Sequence, residues 1–457
     1  MDIEKIKQNK LKMILGFSIP SIIAMLLETV ITMTDGYFTG NYVSESALAA
    51  INLGLPILYL YLGLGLCVGV GGSVICGRLI GAKDKKKASE TLSQTVVTSL
   101  VFCVAVSVIL FALFGPIQGF LKAEGELAGY FKDYYMVMLF NYPVMVVATV
   151  LGMFIRMDGK PGVCMAISIV GCILNVILDY IFVAALGMGV FGSAVGSLIV
   201  QLVTAVTMAA YFLRRSAGIH FTGYKFDKNL HKDMIFNGSS EFIGEMASAI
   251  SMYAFNYVLI KYAGAEGVAA YTIMGYVVYA FSMICLGFGQ GITPLVSVCF
   301  GAKEYETAAH LRKITNMILF VIGAALTVFI VLMGKRIAGL FGCSESVQNM
   351  AQTGFRIYSV TLLVMGYDVV NSMYFTSCGD AKSSALISML RGIVLLLGFT
   401  LLLPLIFGVN GIWLAAPCTE VITALVSMYL INRQRLLIEK GQAEWKIGEA
   451  LQLEEMS

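Results

Sequence analysis

The sequence predicts an all-α membrane protein with twelve transmembrane helices in two parallel six-helix repeats. Three observations predict it. Of 457 residues, 58% are hydrophobic and 13% charged, the latter about half the roughly 25% of a soluble protein. Apolar runs of about twenty residues recur from end to end, each long enough at 1.5 Å per residue to cross a hydrocarbon core of about 30 Å. The chain also repeats itself, since Gly81-Ala82-Lys83-Asp84 returns 220 positions later as Gly301-Ala302-Lys303-Glu304. At the same spacing Tyr37 pairs with Tyr257, Ala49-Ala50 with Ala269-Ala270, and Gly69 and Gly71 with Gly289 and Gly291. Such a duplication builds two lobes around one site in many transporters. The ten-residue segments of alternating polarity that mark a β-barrel do not occur.

The spans are expected at 13–38, 47–75, 92–114, 127–155, 163–185, 190–213, 235–260, 268–297, 314–334, 351–377, 385–407 and 411–432. Pro20, Pro56, Pro143, Pro294, Pro404 and Pro417 fall inside them, where each removes a backbone donor and invites a bend. Lys and Arg set the orientation. With the N-terminus in the cytoplasm, most basic residues fall on that side, among them Lys5, Lys7, Lys10, Lys83, Arg214, Arg215, Lys303, Arg312 and Arg433, so both termini are expected inside. The first span serves as the insertion signal, and no cleaved signal peptide is expected. Six spans per half is an even number, so both halves run in the same sense about an axis along the membrane normal. The expected plan is an N-lobe at 1–213, a cytoplasmic linker at 214–234, a C-lobe at 235–432 and a cytoplasmic tail at 433–457.

The net charge of +3 belongs to these basic loops. It reflects membrane orientation and not nucleic-acid binding. The ten cysteines stand singly with no Cys-x-x-Cys pair and read as small packing residues. His220, His231 and His310 all fall in cytoplasmic loops, so no metal site and no histidine relay within the membrane is expected.

What remains is a handful of acids within spans: Glu28, Asp35, Asp179, Glu241, Glu245, Asp368 and Glu420. An ionised carboxylate at the bilayer centre costs about 2.5 to 3.5 kcal/mol on insertion scales. Such residues belong in the protein interior or a wet cavity. Glu28 and Asp35 are seven apart and share one helical face, and Asn175 and Asp179 are four apart on another. Together they could hold a proton, because neighbouring acids raise one another's pKa, or ligate a hard monovalent cation through oxygen. The repeat maps Glu28 onto Ser248 and Asp35 onto Phe255, so this ion site is not duplicated. Glu241, Glu245, Ser248, Met252 and Phe255 nevertheless share one helical stripe, leaving the second lobe acidic at other heights.

The run Pro20, Glu28, Asp35-Gly36-Tyr37-Phe38-Thr39-Gly40, Ala47-Leu48-Ala49-Ala50 and Gly81-Ala82-Lys83-Asp84 resembles the multidrug and toxic compound extrusion (MATE) family, in its bacterial DinF/MepA-like branch. Arg156-Met157-Asp158-Gly159-Lys160-Pro161, Asn175-Val176-Ile177-Leu178-Asp179 and Gly408-Val409-Asn410-Gly411-Ile412-Trp413 extend the likeness over nearly the whole chain. The resemblance implies a V-shaped pair of six-helix lobes around a central cavity. It also implies export of drugs driven by inward sodium or protons, with one of these as coupling ion and no other cofactor. By position it makes Asp35, Asn175, Asp179 and Ser197 the cation-coupling residues and Pro20 the bend of the first helix. Glu28, Tyr37, Glu241, Glu245 and Asp368 are expected to line the substrate cavity. Glu28 stands where bacterial members often carry Gln. Members with a C-lobe cation site place a glutamate near Ser248, whereas here the nearest acids are Glu241 and Glu245. Asp368 only loosely resembles a tenth-helix aspartate, and the C-lobe site stays open.

The leading reading is a cation-coupled antiporter for amphipathic organic cations, a monomer in the bacterial cytoplasmic membrane. Its 27 Phe, 22 Tyr and 25 Met suit an adaptable apolar cavity selective for positive charge. A flippase for lipid-linked saccharides is the alternative, but it needs bases within the spans to hold pyrophosphate, and Arg391 is nearly alone there. Tyr367-Asp368 resembles half of an intramembrane aspartyl protease pair. Its Gly-x-Gly-Asp partner is missing, since the chain reads Ser377-Cys378-Gly379-Asp380, so no enzyme is expected. No Gly-x-x-x-x-Gly-Lys-Ser/Thr loop supports nucleotide-driven transport either.

Overall fold

The structure, a computed structural model, describes residues 3–214, 218–340 and 343–440. Arg215 and the end of the expected tail, 441–457, lie outside the described residues, as do the side chains of Ser248, Ala249, Met252 and Leu340. The described chain is helical almost throughout. Its long helices are α1 (Lys10–Tyr42), α2 (Leu55–Gly81), α3 (Lys85–Ala112), α4 (Gly125–Met157), α5 (Pro161–Ala185), α6 (Gly189–Phe212), α7 (228–263), α8 (265–301), α9 (Tyr305–Leu340), α10 (Glu345–Cys378), α11 (Ala381–Phe407) and α12 (Val409–Glu439). α7 and α8 run almost end to end, parted at Gly264, whose φ of 60° is left-handed. Glycine reaches that conformation without the Cβ clash other residues meet.

Ten described stretches are long and apolar enough to cross a membrane: α1 to α6, the stretch Tyr253–Gly301, α9, α11 and α12. α10 is long but carries Gln352, Arg356, Asp368 and Asn371, which dilute its apolar character. Most helices outrun the expected spans, because the backbone ladder continues beyond the apolar run into flanking polar residues. One expectation needs correction. The second span does not run unbroken from 47 to 75. A short helix, Glu45–Leu53, ends at Gly54 before α2 starts, and Pro56 sits in the first turn of α2 rather than inside it, where no intrahelical donor is needed. The break is held by Tyr135, whose ring fills the space a Cβ at Gly54 would need and whose hydroxyl donates to the Ile51 carbonyl at 2.7 Å. Pro20, Pro143, Pro294, Pro404 and Pro417 do lie within helices.

The duplication is visible in the backbone. Lys83 and Lys303 both take left-handed φ, 67° and 61°. Each ends its helix by the same pair of bonds: Lys83 N–H to the Ile80 carbonyl and Asp84 N–H to Leu79, against Lys303 to Phe300 and Glu304 to Cys299. A second matched pair is Gly159 and Gly379, with φ of 87° and 81°, closing α4 and α10. These are left-handed helix stops that satisfy orphan carbonyls.

The chain forms two compact units. Among the described residues, unit one contains Ile19–Gly238, and unit two contains Glu4–Ser18 together with Ser239–Lys440. The start of α7 therefore packs into unit one, and the start of α1 into unit two. Close packing marks both insertions. A Cβ at Gly71 on α2 would overlap the Met234 carbonyl, one at Gly238 would overlap that of Cys67, and one at Gly291 on α8 would strike Ser18. In unit two Lys7 also pairs with Glu304 at 2.6 Å. Aromatic side chains fill the unit-one core, where the Tyr61 and Tyr142 rings lie 5.0 Å apart and those of Phe131 and Tyr135 4.6 Å.

Candidate ion-coupling site

Asp35 on α1, Asn175 and Asp179 on α5, and Ser197 on α6 meet in unit one. Asn175 Nδ2 donates to Asp35 Oδ1 at 3.0 Å, and the Ser197 hydroxyl to Oδ2 at 3.5 Å. Asp179 lies against Asp35. Helical spacing explains the pairing on α5, since residues four apart point the same way. Asn175 and Asp179 are fully buried, and Gly196 keeps α6 small where it faces the Asp179 carboxylate. Both Asp179 oxygens and Asn175 Oδ1 lack a hydrogen-bond donor. A buried oxygen left without a donor costs on the order of 1 to 3 kcal/mol, more when charged. Directly after Asp179, α5 widens into a π-helical turn over Tyr180–Ala185, a distortion that recurs at functional sites.

Two neighbours escaped the sequence reading. Tyr134 on α4 lies beside both carboxylates, and Arg156 on α4 is the nearby positive charge for Glu28. Arg156 stands just past the expected span 127–155 and gave little signal in the sequence. Tyr134 gave none, being one of many aromatics. Tyr37 does not join the cluster. Its ring is 59% exposed, because two residues past Asp35 a helix has turned by about 200°.

In unit two, Glu241 Oε1 accepts from the Thr376 hydroxyl at 3.4 Å, with Glu245 beside it. From Thr376 a chain of hydroxyls continues through Ser384 at 2.7 Å, Ser372 at 3.1 Å and Ser388 at 3.2 Å. Asp368 is fully buried near Glu420 and Arg391. A separate cavity of about 230 Å³ between α8 and α10 is lined by Tyr271, Met274, Tyr279, Tyr358 and Met365.

A duplicated bundle of apolar helices that buries a carboxylate and amide cluster defines a polytopic membrane transporter. The MatE family matches residues 20–181 and 242–402, one block in each half. The chain belongs to that family, whose members are transporters and not enzymes. Among its relatives are two proteins called multidrug export protein MepA. The one from Staphylococcus saprophyticus is 27% identical, covering 95% of this chain and 97% of the relative. The one from Staphylococcus haemolyticus is 25% identical, covering 94% and 95%. Two solved structures share the fold. An outward-facing multidrug resistance MATE transporter of the MOP superfamily aligns with TM-score 0.88 at 25% identity, covering 94% of this chain and 96% of its own. A MOP superfamily transporter from Pyrococcus furiosus, described as having reversed binding-pocket polarity that suggests a different function, aligns with TM-score 0.85 at 26% identity, covering 93% and 95%.

Proposed function

We propose that this chain is a multidrug exporter of the bacterial cytoplasmic membrane. It acts as a monomer with both termini in the cytoplasm, exchanging amphipathic organic cations for sodium or protons. The observation that carries the reading is the Asp35, Asn175, Asp179 and Ser197 cluster, with three buried oxygens lacking donors. Family membership and the MepA relatives support export of small organic molecules. Electrical work supports exchange. Moving one charge through 100 mV is worth about 2.3 kcal/mol, so one entering cation against one leaving monovalent drug cancels that term and leaves the concentration gradients as the drive. In this reading Asp35 and Asp179 hold the coupling ion, while Glu28 tunes the drug. The aromatic and methionine lining near Tyr271 offers ring faces and soft sulfur to an organic cation. A saccharide-lipid flippase finds less support, because Arg391 is engaged by Glu420 at 2.8 Å and is not free for pyrophosphate.

The test is dye efflux from vesicles under sodium or proton gradients imposed separately. Asp35→Asn is expected to abolish gradient-driven efflux while the protein stays folded and inserted, since Asn keeps the shape and loses the charge. Glu28→Gln is expected to change drug affinity or selectivity more than coupling. Full gradient-dependent efflux by Asp35→Asn at normal expression would refute the assignment.

A further inference from the structure

Where α9 and α10 pack together in unit two, a half-buried base stands without an acid. Arg312 on α9 donates through Nη1 to Asn371 Oδ1 on α10 at 3.2 Å, and its guanidinium carbon lies 5.3 Å from the centre of the Tyr374 ring. Asn316, one turn along α9, donates through Nδ2 to the same Asn371 oxygen at 3.3 Å. Among the described residues Arg312 forms no ion pair. Asn371 is 0% exposed, and its Nδ2 and Arg312 Nε are buried donors with no acceptor. Asn316 Oδ1 is a buried acceptor with no donor. The fold does not require a charge here. At the repeat spacing Arg312, Asn316, Asn371 and Tyr374 map onto Leu92, Val96, Leu151 and Phe154, which form or line the apolar core of unit one.

Charge and depth together define what the cluster lacks. A positive charge taken partly out of water with no counter-charge is costly, and an anion answers both the charge and the missing acceptors. Arg312 lies seven residues from the start of α9 and Asn371 seven from the end of α10, about 10 Å inward at 1.5 Å per residue. Arg312 thus stands just outside the apolar span expected from residue 314, at headgroup depth. The cluster reaches the surface through Arg312, and Lys313 beside it is exposed. From Lys313 the exposed face of α9 continues through Met317, Phe320 and Val321, spaced as one helical stripe. The acid of this face, Glu306, is two turns further out. We propose that Arg312 and Lys313, with Asn371 and Tyr374 holding the guanidinium, bind the phosphate of an anionic phospholipid whose chains lie along Met317, Phe320 and Val321. A planar guanidinium suits phosphate oxygens, and basic pockets between helices on the cytoplasmic side take anionic headgroups. A headgroup hydroxyl is the donor that Asn316 Oδ1 lacks. The choice of leaflet rests on the cytoplasmic start of α9 proposed above, whereas the binding itself does not depend on the transport reading.

To test this, the purified full chain in detergent is titrated with phosphatidylglycerol, with phosphatidylcholine and with inorganic phosphate, and the tightest bound lipid is followed by native mass spectrometry. Phosphatidylglycerol is expected to bind on the order of tenfold more tightly than phosphatidylcholine, and inorganic phosphate is expected not to displace it. Arg312→Leu, which copies the residue at the matching place in unit one, should lose on the order of tenfold in affinity, and Lys313→Gln about fivefold. Asn371→Asp separates binding from structure. Its carboxylate keeps the oxygen to which Arg312 and Asn316 donate and supplies the missing counter-charge. The chain should then keep or gain thermal stability while phosphatidylglycerol binding falls on the order of tenfold. A purely structural role for Arg312 would leave lipid binding unmoved. Should Arg312→Leu or Asn371→Asp not fold, Lys313→Gln decides, since its side chain is exposed. Three results overturn the site: equal binding of the two lipids, a folded Arg312→Leu or Lys313→Gln chain that binds phosphatidylglycerol as before, or full displacement by inorganic phosphate.

Discussion

At the residue scale, the two donors to Asp35 are unequal. Asn175 sits at 3.0 Å and Ser197 at 3.5 Å, and a hydrogen bond to a carboxylate weakens steeply as it lengthens. These donors steady the empty carboxylate, so Asn175→Leu should strengthen proton binding at Asp35, by up to roughly 10- to 100-fold for a charged hydrogen bond of about 1.5 to 3 kcal/mol. Ser197→Ala should change it only a few-fold. Equilibrium ion binding on the purified variants checks the order, and a larger effect for Ser197→Ala would refute it. Much of this cluster was legible in the sequence because an acid within an apolar span is costly and rare. Asp35, Asn175 and Asp179 announce themselves by composition and spacing. The partner of Glu28 did not, since only packing brings α4 beside α1.

Helices and their ends carry the next level. Gly379 closes α10 at φ 81°, a conformation that costs other residues about 1 to 2 kcal/mol. Gly379→Ala should lower the thermal midpoint, and Gly159→Ala should match it, because the two stops are equivalent. Gly71→Ala should destabilise by about 1 to 3 kcal/mol, since its Cβ would meet the Met234 carbonyl and not a movable side chain. Gly16→Ala, with open space at the same atom, should be neutral; thermal unfolding in detergent compares all four. The positions of most helices were readable from apolar length. The stop at Gly54 was not, because it depends on Tyr135 reaching in from α4. Nor were the π-helical turns at Tyr180–Ala185 and Leu390–Val394, which composition does not mark.

At the scale of the whole molecule, the repeat was plain from one tetrapeptide and its copy, but the exchange of helix starts between the two units was not. A domain plan drawn from spans alone keeps each helix in one lobe, whereas Glu4–Ser18 belongs to unit two and the start of α7 to unit one. The Lys7 and Glu304 pair helps to hold the first of these. Its hydrogen bond raises the Lys7 pKa above the ordinary 10.5, so the lysine's side of the contribution is in place through neutral pH and is lost as pH rises through the raised value. Glu304→Gln should thus expose the N-terminal segment to trypsin at neutral pH. A protection by the pair that vanished between about pH 7 and 9 would contradict this. The exchange also bears on how the chain is made. Ser18 leaves the ribosome early, but its neighbour Gly291 follows 273 residues later, about 14 to 55 s at 5 to 20 residues per second. During that interval the first segment has no partner, and unit one is unfinished until the start of α7 arrives. Unit one can close once residue 238 has emerged, while the segment before Ile19 waits for unit two, and a fragment ending at residue 213 would leave Gly71 facing an empty groove and be open to quality-control proteases.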